Sequence, residues 1–240
     1  MASGCVCQNM APDDLELAGK CLGQLWIFEN LSGEERAFLA KNALRSIYEP
    51  GQIIFLQGDP ADKLFLIKGG RVRLSKNLED GTEILLDIRK AGDFVGEYML
   101  SERDSLFPVT ASAMEKTLIC GFTQGMFDRL IHENPSIGLQ VIKRLSEQVS
   151  SLTTRVGSMT LSSLEDRLYN VLVNVANEHG QEDSRGRVIS FPITHEDLSF
   201  LVGAHRVSIT RAMKALKQSG KIKKSGRSLI LPHEPLSEEG

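Results

Sequence analysis

The chain has 240 residues, a formal net charge of -3, 41% hydrophobic and 25% charged residues, which suits a globular protein of one large or two small domains with a sizeable core. It has no run of about 18 apolar residues to cross a membrane, and Met1-Ala-Ser-Gly-Cys5 has neither the basic nor the apolar region of a secretory signal. Four cysteines do not make a disulfide framework, and 8 prolines with 21 glycines are too few for a low-complexity chain.

The charge is uneven. Between Thr194 and Arg227 stand Arg206, Arg211, Lys214, Lys217, Lys221, Lys223, Lys224 and Arg227, opposed only by Glu196 and Asp197, so this stretch is +6 and the rest of the chain -9. Such a run is either a solvated face or a small polyanion-binding module carried by an acidic partner domain.

In chain order, residues 1–24 hold three of the four cysteines and show little periodicity beyond a short helix expected around Asp13–Lys20. Ser32-Gly-Glu-Glu35 is a capping-box signature and predicts a helix running to about Leu44. From Ile47 to Thr123 short apolar runs alternate with glycines. Strands are expected at Ile53–Leu56, Leu64–Ile67, Val72–Ser75, Ile84–Ile88, Val109–Ala113 and Leu118–Phe122. Hairpin turns are expected at Lys68-Gly-Gly-Arg71 and Glu79-Asp-Gly-Thr82, because glycine accepts the positive φ of such turns. Many short, evenly spaced strands predict an all-β sandwich or barrel.

Beyond Gln124 the pattern turns helical. Leu145, Val149, Leu152, Val156 and Met159 follow a 4, 3, 4, 3 spacing within a long segment from about Pro135 to Met159. This a/d seam fits either a helix packed on its own domain or a two-stranded coiled coil with a second copy, and the narrowness of the stripe favours the second copy. A further amphipathic helix is expected over Ser162–Glu178, then a polar loop at Gly180–Arg187 and a short strand at Val188–Pro192. Helices at Glu196–Val202 and Val207–Ser219 follow, with Gly203 at the turn between them. Lys221–Lys224 and Ser228–Leu231 can pair as a hairpin around Ser225-Gly-Arg227.

The segment Ile193–Leu216 carries the most specific signal. Thr194 caps a helix with Asp197 at the capping-box position, and Leu198, Leu201 and Val202 form its buried face. Ile209, Met213 and Leu216 bury the inner face of the next helix, whose outer face carries Arg206, Ser208, Arg211 and Lys214. Cap, turn glycine, buried positions and basic face agree in register with a helix-turn-helix whose second helix, preceded by His205, enters the major groove of double-stranded DNA. Arginine there can read guanine O6 and N7 in a bidentate fashion. The hairpin with Lys221, Lys223, Lys224 and Arg227 suits phosphate contact and makes the module a winged helix. The candidate DNA-binding residues are His205, Arg206, Val207, Ser208, Arg211, Lys214 and Lys224.

A glycine-punctuated β-roll, a long helix and a C-terminal winged helix-turn-helix, in this order and at this length, resemble the CRP/FNR family of bacterial transcription regulators. The resemblance runs from about Leu25 to the C-terminus. It rests on Gly51-Gln-Ile-Ile-Phe55, Gly58-Asp59, Phe65-Leu-Ile-Lys-Gly-Gly-Arg-Val72, Gly92-Asp-Phe-Val-Gly-Glu97 and Ile193–Leu216. It implies an α+β chain divided into a cysteine-containing segment (1–24), a β-roll sensor domain resembling the cyclic-nucleotide-binding jelly roll (25–134), a dimerisation helix (135–160) and a DNA-binding domain (161–240). It also implies a cytoplasmic homodimer, joined through Leu145, Val149, Leu152 and Val156, that binds a palindromic operator under control of an effector and engages RNA polymerase. No membrane role is expected.

Two departures from the best-known members matter. Val207 stands where those recognition helices usually carry glutamate. Valine cannot accept from cytosine N4 but can contact a thymine methyl, so an A·T-richer half-site is expected, and His205-Arg-Val-Ser-Ile-Thr-Arg211 looks more like the halogenated-phenol-responsive members. Phe107 and Pro108 replace the Arg-Ser pair that holds the cyclic phosphate, so cyclic AMP is not the expected effector. Gly96, Glu97, Tyr98, Met99 and Phe107, with Leu100 nearby, are the candidate effector pocket for a small hydrophobic ligand or haem; equally, they simply pack the β-roll.

Cys5, Cys7 and Cys21 with Cys120 form the candidate metal set. Ala113–Cys120 resembles the segment carrying the last ligand of the oxygen-sensing members' [4Fe–4S] cluster, and four thiolates are what such a cluster needs. The N-terminal spacing departs from that pattern, and Cys120 on a strand also fits a small buried hydrophobe. Thiol redox switching and no sensing role remain as alternatives.

No catalytic site is expected. His132, His179, His195, His205 and His233 lack metal-ligand spacing, and no phosphate-cradling loop occurs. The alternative function, a β-barrel ligand-binding or enzymatic protein, would have to draw on Glu97, Glu102 and Asp104.

Overall fold

The computed structural model describes residue 28, residues 31–35, residue 41 and residues 43–101, 104–158 and 163–233. The expected helix at Asp13–Lys20, together with Cys5, Cys7, Cys21, Glu102 and Met159, lies outside the described residues. The chain divides into two compact units, Met1–Gln148 and Val149–Gly240.

The first unit is a β-roll. Strands β1 (Leu44–Tyr48), β2 (Ile53–Phe55), β3 (Lys63–Gly69), β4 (Arg71–Asn77), β5 (Glu83–Lys90), β6 (Phe94–Val95), β7 (Thr110–Ala113) and β8 (Thr117–Thr123) form two four-stranded sheets, ordered β1-β8-β3-β6 and β2-β7-β4-β5. The pairings are antiparallel. Alternation along the strands sorts their side chains into two cores. Ile67, Val95 and Ile119 join Phe55, Val72, Leu74 and Ala111 in a cluster drawn from both sheets. Leu64, Leu66, Phe94, Cys120 and Phe122 belong to a second cluster with Phe28, Leu31 and the helical residues Phe127, Leu130, Ile137 and Val141.

Two expectations in this unit change. The capping box at Ser32 forms, with Ser32 N donating to Glu35 Oε2 at 2.7 Å and Glu35 N to Ser32 Oγ at 3.3 Å. The helix does not reach Leu44, which opens β1 paired to β8, because non-local pairing outweighs a local helical pattern. Lys68-Gly-Gly-Arg71 is not a hairpin: β3 and β4 belong to different sheets, and the two glycines carry the chain across. Gly70, at φ 84°, lies so close to the Lys116–Thr117 backbone that a Cβ there would meet the Lys116 carbonyl at 2.6 Å. The hairpin at Glu79–Thr82 forms as expected, with Leu78 N donating to the Thr82 carbonyl at 2.9 Å.

Helix α1 (Gln124–Glu133) leads through Asn134 into α2 (Pro135–Ser158), with proline at a first-turn position where its missing N–H costs nothing. Within the first unit, Arg144 of α2 is ion-paired with Asp93 in the turn before β6, and Asp93 also accepts from Lys90 N at 3.0 Å.

The second unit packs three helices against a four-stranded sheet. Helix α3 (Leu164–His179) is capped by Ser163, whose hydroxyl accepts from Asp166 N at 3.2 Å. Strands β9 (Gln181–Asp183), β10 (Gly186–Ile189), β11 (Lys223–Ser225) and β12 (Ser228–Leu231) are ordered β11-β12-β10-β9. Gly180–Arg187, expected as a loop, is a β9–β10 hairpin, its polar strand β9 held by backbone pairing rather than by apolar alternation. Helices α4 (His195–Val202) and α5 (Arg206–Gln218) complete the unit.

Candidate nucleic-acid interface and effector region

The α4–α5 pair is built by local signals. Thr194 Oγ1 accepts from Asp197 N at 3.0 Å, and Asp197 Oδ2 accepts from Thr194 N at 2.9 Å, closing a reciprocal capping box. Gly203, at φ 69°, ends α4 in the left-handed conformation that the sharp turn requires. Leu198, Leu201, Val202, Ile209, Met213 and Leu216 are buried, as their spacing predicts. The opposite face of α5 is open: Arg206, Val207, Arg211 and Lys214 are exposed, Ser208 is half-buried, and His205 stands exposed at the N-cap.

The β11–β12 wing forms with Lys223, Lys224 and Arg227 exposed. Lys221 is engaged elsewhere, with Nζ 3.8 Å from Asp166 Oδ1 and 5.2 Å above the Tyr169 ring. A small groove of about 120 Å³ runs between the helices and the wing, with Leu198 and Met213 among its apolar lining and Lys217, Lys224, Arg227 and His195 among its polar one. Sequence reasoning missed His195. Its Nδ1 lies 3.0 Å from Thr210 Oγ1. Burial, then the positive fields of Lys217, Arg206 and Lys224, hold its imidazole below the ordinary histidine range.

In α2, Leu145 is half-buried and packs against the core of its own unit. Val149 and Leu152 are 62% and 50% exposed, and Leu139 and Ile142, which the seam reading passed over, are 69% and 60% exposed. The Val156 side chain is not among those described.

The candidate effector residues separate. Phe107 is buried and stacks on Phe55 at a centroid distance of 3.8 Å, and a methyl group at Gly96 would touch the Phe107 ring at 3.4 Å. Tyr98 packs against that same cluster, whereas Met99 joins the helix-side core. Glu97 meets a partner that sequence reasoning missed: Arg89, nearly buried, lies 3.0 Å from Asp87 Oδ2 and 3.4 Å from Glu97 Oε1. Alternation on β5 puts Arg89 on the face opposite the buried Ile88, so no periodic signal marks it. Burial raises the Glu97 carboxyl above its ordinary range against the pull of Arg89, and burial likewise raises the Tyr98 phenol.

Cys120 is 5% exposed, in the helix-side core with Phe28 and Leu31. No group of three or more His, Cys, Asp or Glu side chains that could hold a metal ion occurs among the described residues. Asp104 is exposed in a turn, and Glu97 is half-buried. No helix among the described residues is long and apolar enough to cross a membrane.

Comparison with known proteins agrees with this architecture. Residues 45–134 match the cyclic nucleotide-binding domain family, and residues 166–237 match the Crp-like helix-turn-helix domain family. The anaerobic regulatory protein of Bacillus subtilis is 24% identical over 181 residues, 75% of this chain and 76% of its own length. The CRP-like cAMP-activated global transcriptional regulator of Mycobacterium tuberculosis is 24% identical over 212 residues, 88% of this chain and 93% of its own. Among solved structures, the c-di-GMP responsive global regulator of Xanthomonas campestris has the same fold, with a TM-score of 0.70 at 22% identity over 84% of this chain and 98% of that one. A β-roll of the cyclic nucleotide-binding type followed by a Crp-like winged helix-turn-helix makes the chain a member of the CRP/FNR family of DNA-binding transcription regulators.

Proposed function

We propose that the chain works in the cytoplasm as a homodimer that binds a two-fold-related operator through α5 and the wing, cooperates with RNA polymerase and has no catalytic activity. The observation that carries this reading is the division of α5: Ile209, Met213 and Leu216 are buried while Arg206, Arg211 and Lys214 are exposed at helical spacing. In this reading Arg206 and Arg211 supply guanine contacts, Val207 a methyl contact, Ser208 and His205 polar contacts, and Lys214 and Lys224 phosphate contacts. The exposed stripe Leu139, Ile142, Val149 and Leu152 supports a second copy as partner of α2. Selection from a random duplex library with the purified protein tests the reading: it predicts a palindromic, A·T-rich site whose affinity falls on Arg206→Ala.

The effector in this reading is not a cyclic nucleotide. Phe107 offers a phosphate nothing, and the nearby cation Arg89 is already shared between Asp87 and Glu97. A small hydrophobic molecule beside Tyr98 and Phe107, with Gly96 and Glu97, is the reading preferred here. A second reading is favoured by Cys120, which lies in the same core as Phe28 and Leu31, the first described residues after Cys21: an iron–sulfur cluster on Cys5, Cys7, Cys21 and Cys120. An ultraviolet–visible spectrum of anaerobically purified protein, with iron and sulfide assays, separates the two.

A further inference from the structure

Between Thr194 and Arg227 the chain has two carboxylates among eight basic residues. Asp197 is buried in the capping box. Glu196 is exposed on the first turn of α4, its Oε2 3.6 Å from Nε of Arg206, the first residue of α5. The same two helical turns are fastened a second time: the Thr210 hydroxyl donates to the Arg206 carbonyl at 3.0 Å and lies 3.0 Å from His195 Nδ1. Glu196 is therefore held on a braced frame beside the leading side chain of the recognition helix.

The atom it meets matters. A carboxylate at Nε leaves both terminal amino groups of Arg206 free, and that forked end is the part of arginine that matches guanine O6 and N7. An arginine that swings away to a backbone phosphate must leave the carboxylate, and the carboxylate itself repels phosphate.

We propose that Glu196 is a specificity-determining residue, which aims Arg206 at a guanine edge and opposes its use as a non-specific phosphate anchor. The proposal rests on the reading of α5 as the recognition helix. It is tested with the full chain by measuring affinity for a selected operator and for a scrambled duplex of equal length at one salt concentration, in wild type, Glu196→Gln, Arg206→Ala and the double variant. Removing the carboxylate should tighten binding to the scrambled duplex more than to the operator, lowering their ratio about two- to five-fold, the range of an exposed ion pair. In the Arg206→Ala background the same change should leave the ratio alone. Glu196→Ala, measured alongside, controls for base contacts made by the new glutamine amide. If both duplexes respond by the same factor, or the ratio shifts equally without Arg206, the proposal is overturned. If Arg206→Ala itself leaves the ratio unchanged, the recognition-helix reading fails, and the proposal with it.

Discussion

The two units were written in different codes. In the winged helix each functional side chain lies within a turn or two of the signal that places it: Thr194 and Asp197 set the start of α4, Gly203 the turn and Ile209–Met213–Leu216 the inner face, so Arg206 and Arg211 can only point outward. In the β-roll the neighbours of any one residue come from strands far apart in sequence. Phe107 stacks on Phe55, and Cys120 of β8 lies opposite Leu66 of β3. Helical sites can be read locally; a site inside a roll depends on which sheet each strand joins.

The largest effect should come from α2, which the same 3.6-residue logic describes. Leu152→Glu would bury a charge without a partner in the proposed seam, at a cost of about 3–5 kcal/mol. Sedimentation should then find monomers with little operator affinity, whereas Leu145→Glu should also lower the melting temperature, because Leu145 packs on its own unit's core. An unchanged dimer in Leu152→Glu would remove the seam from the account.

Next in size, Arg206→Ala should cost about 1–3 kcal/mol on the preferred site. Lys224→Ala should weaken all sequences alike and flatten the salt dependence by about one unit of slope. Thr194→Ala, which removes the α4 cap, should cost about 1 kcal/mol of stability in chemical denaturation. An effect on DNA binding much larger than this loss would show that the cap also serves the interface.

The smallest effect sharpens the β-roll side. The Glu97 carboxyl is raised in the fold, so the folded chain holds its proton at a pH where the unfolded chain has released it. Its contribution to stability is therefore full below the unfolded value of 4.5 and declines as pH rises through the higher folded value. Glu97→Gln should accordingly gain stability relative to wild type at pH 7 but not at pH 4. His195 acts in the opposite direction: lowered in the fold, its neutral form stabilises above the unfolded value of 6.5, and that stability is lost as pH falls below it. A melting temperature of Glu97→Gln that tracks wild type at both pH values would mean that Arg89 fully compensates the charge.

Much of the molecule is legible in its sequence, and what is not shares one cause. Six strands, the long helix, α3, both helices of the DNA-binding motif and the wing all follow from local periodicity and turn residues. The Lys68–Arg71 link differs from the hairpin expected because two glycines between strands look the same whether the chain turns back or crosses to another sheet. β1 was missed because its residues, Leu44 and Ile47 among them, stay half exposed and gain their place only from β8. β6 is two residues long, too short for any alternation to show. Among functional residues, Arg89 and Glu196 escape because an isolated charge carries no periodic signal until the fold shows which charge it faces.

The central claim is that α5 reads base sequence. It is tested most directly by the ratio of affinities for a selected operator and a scrambled duplex, measured for wild type and Arg206→Ala at the same salt concentration. The substitution should lower operator affinity by about five- to 150-fold while leaving scrambled-duplex affinity within about two-fold, so that the ratio falls. An equal loss on both duplexes, or no loss on either, would contradict it.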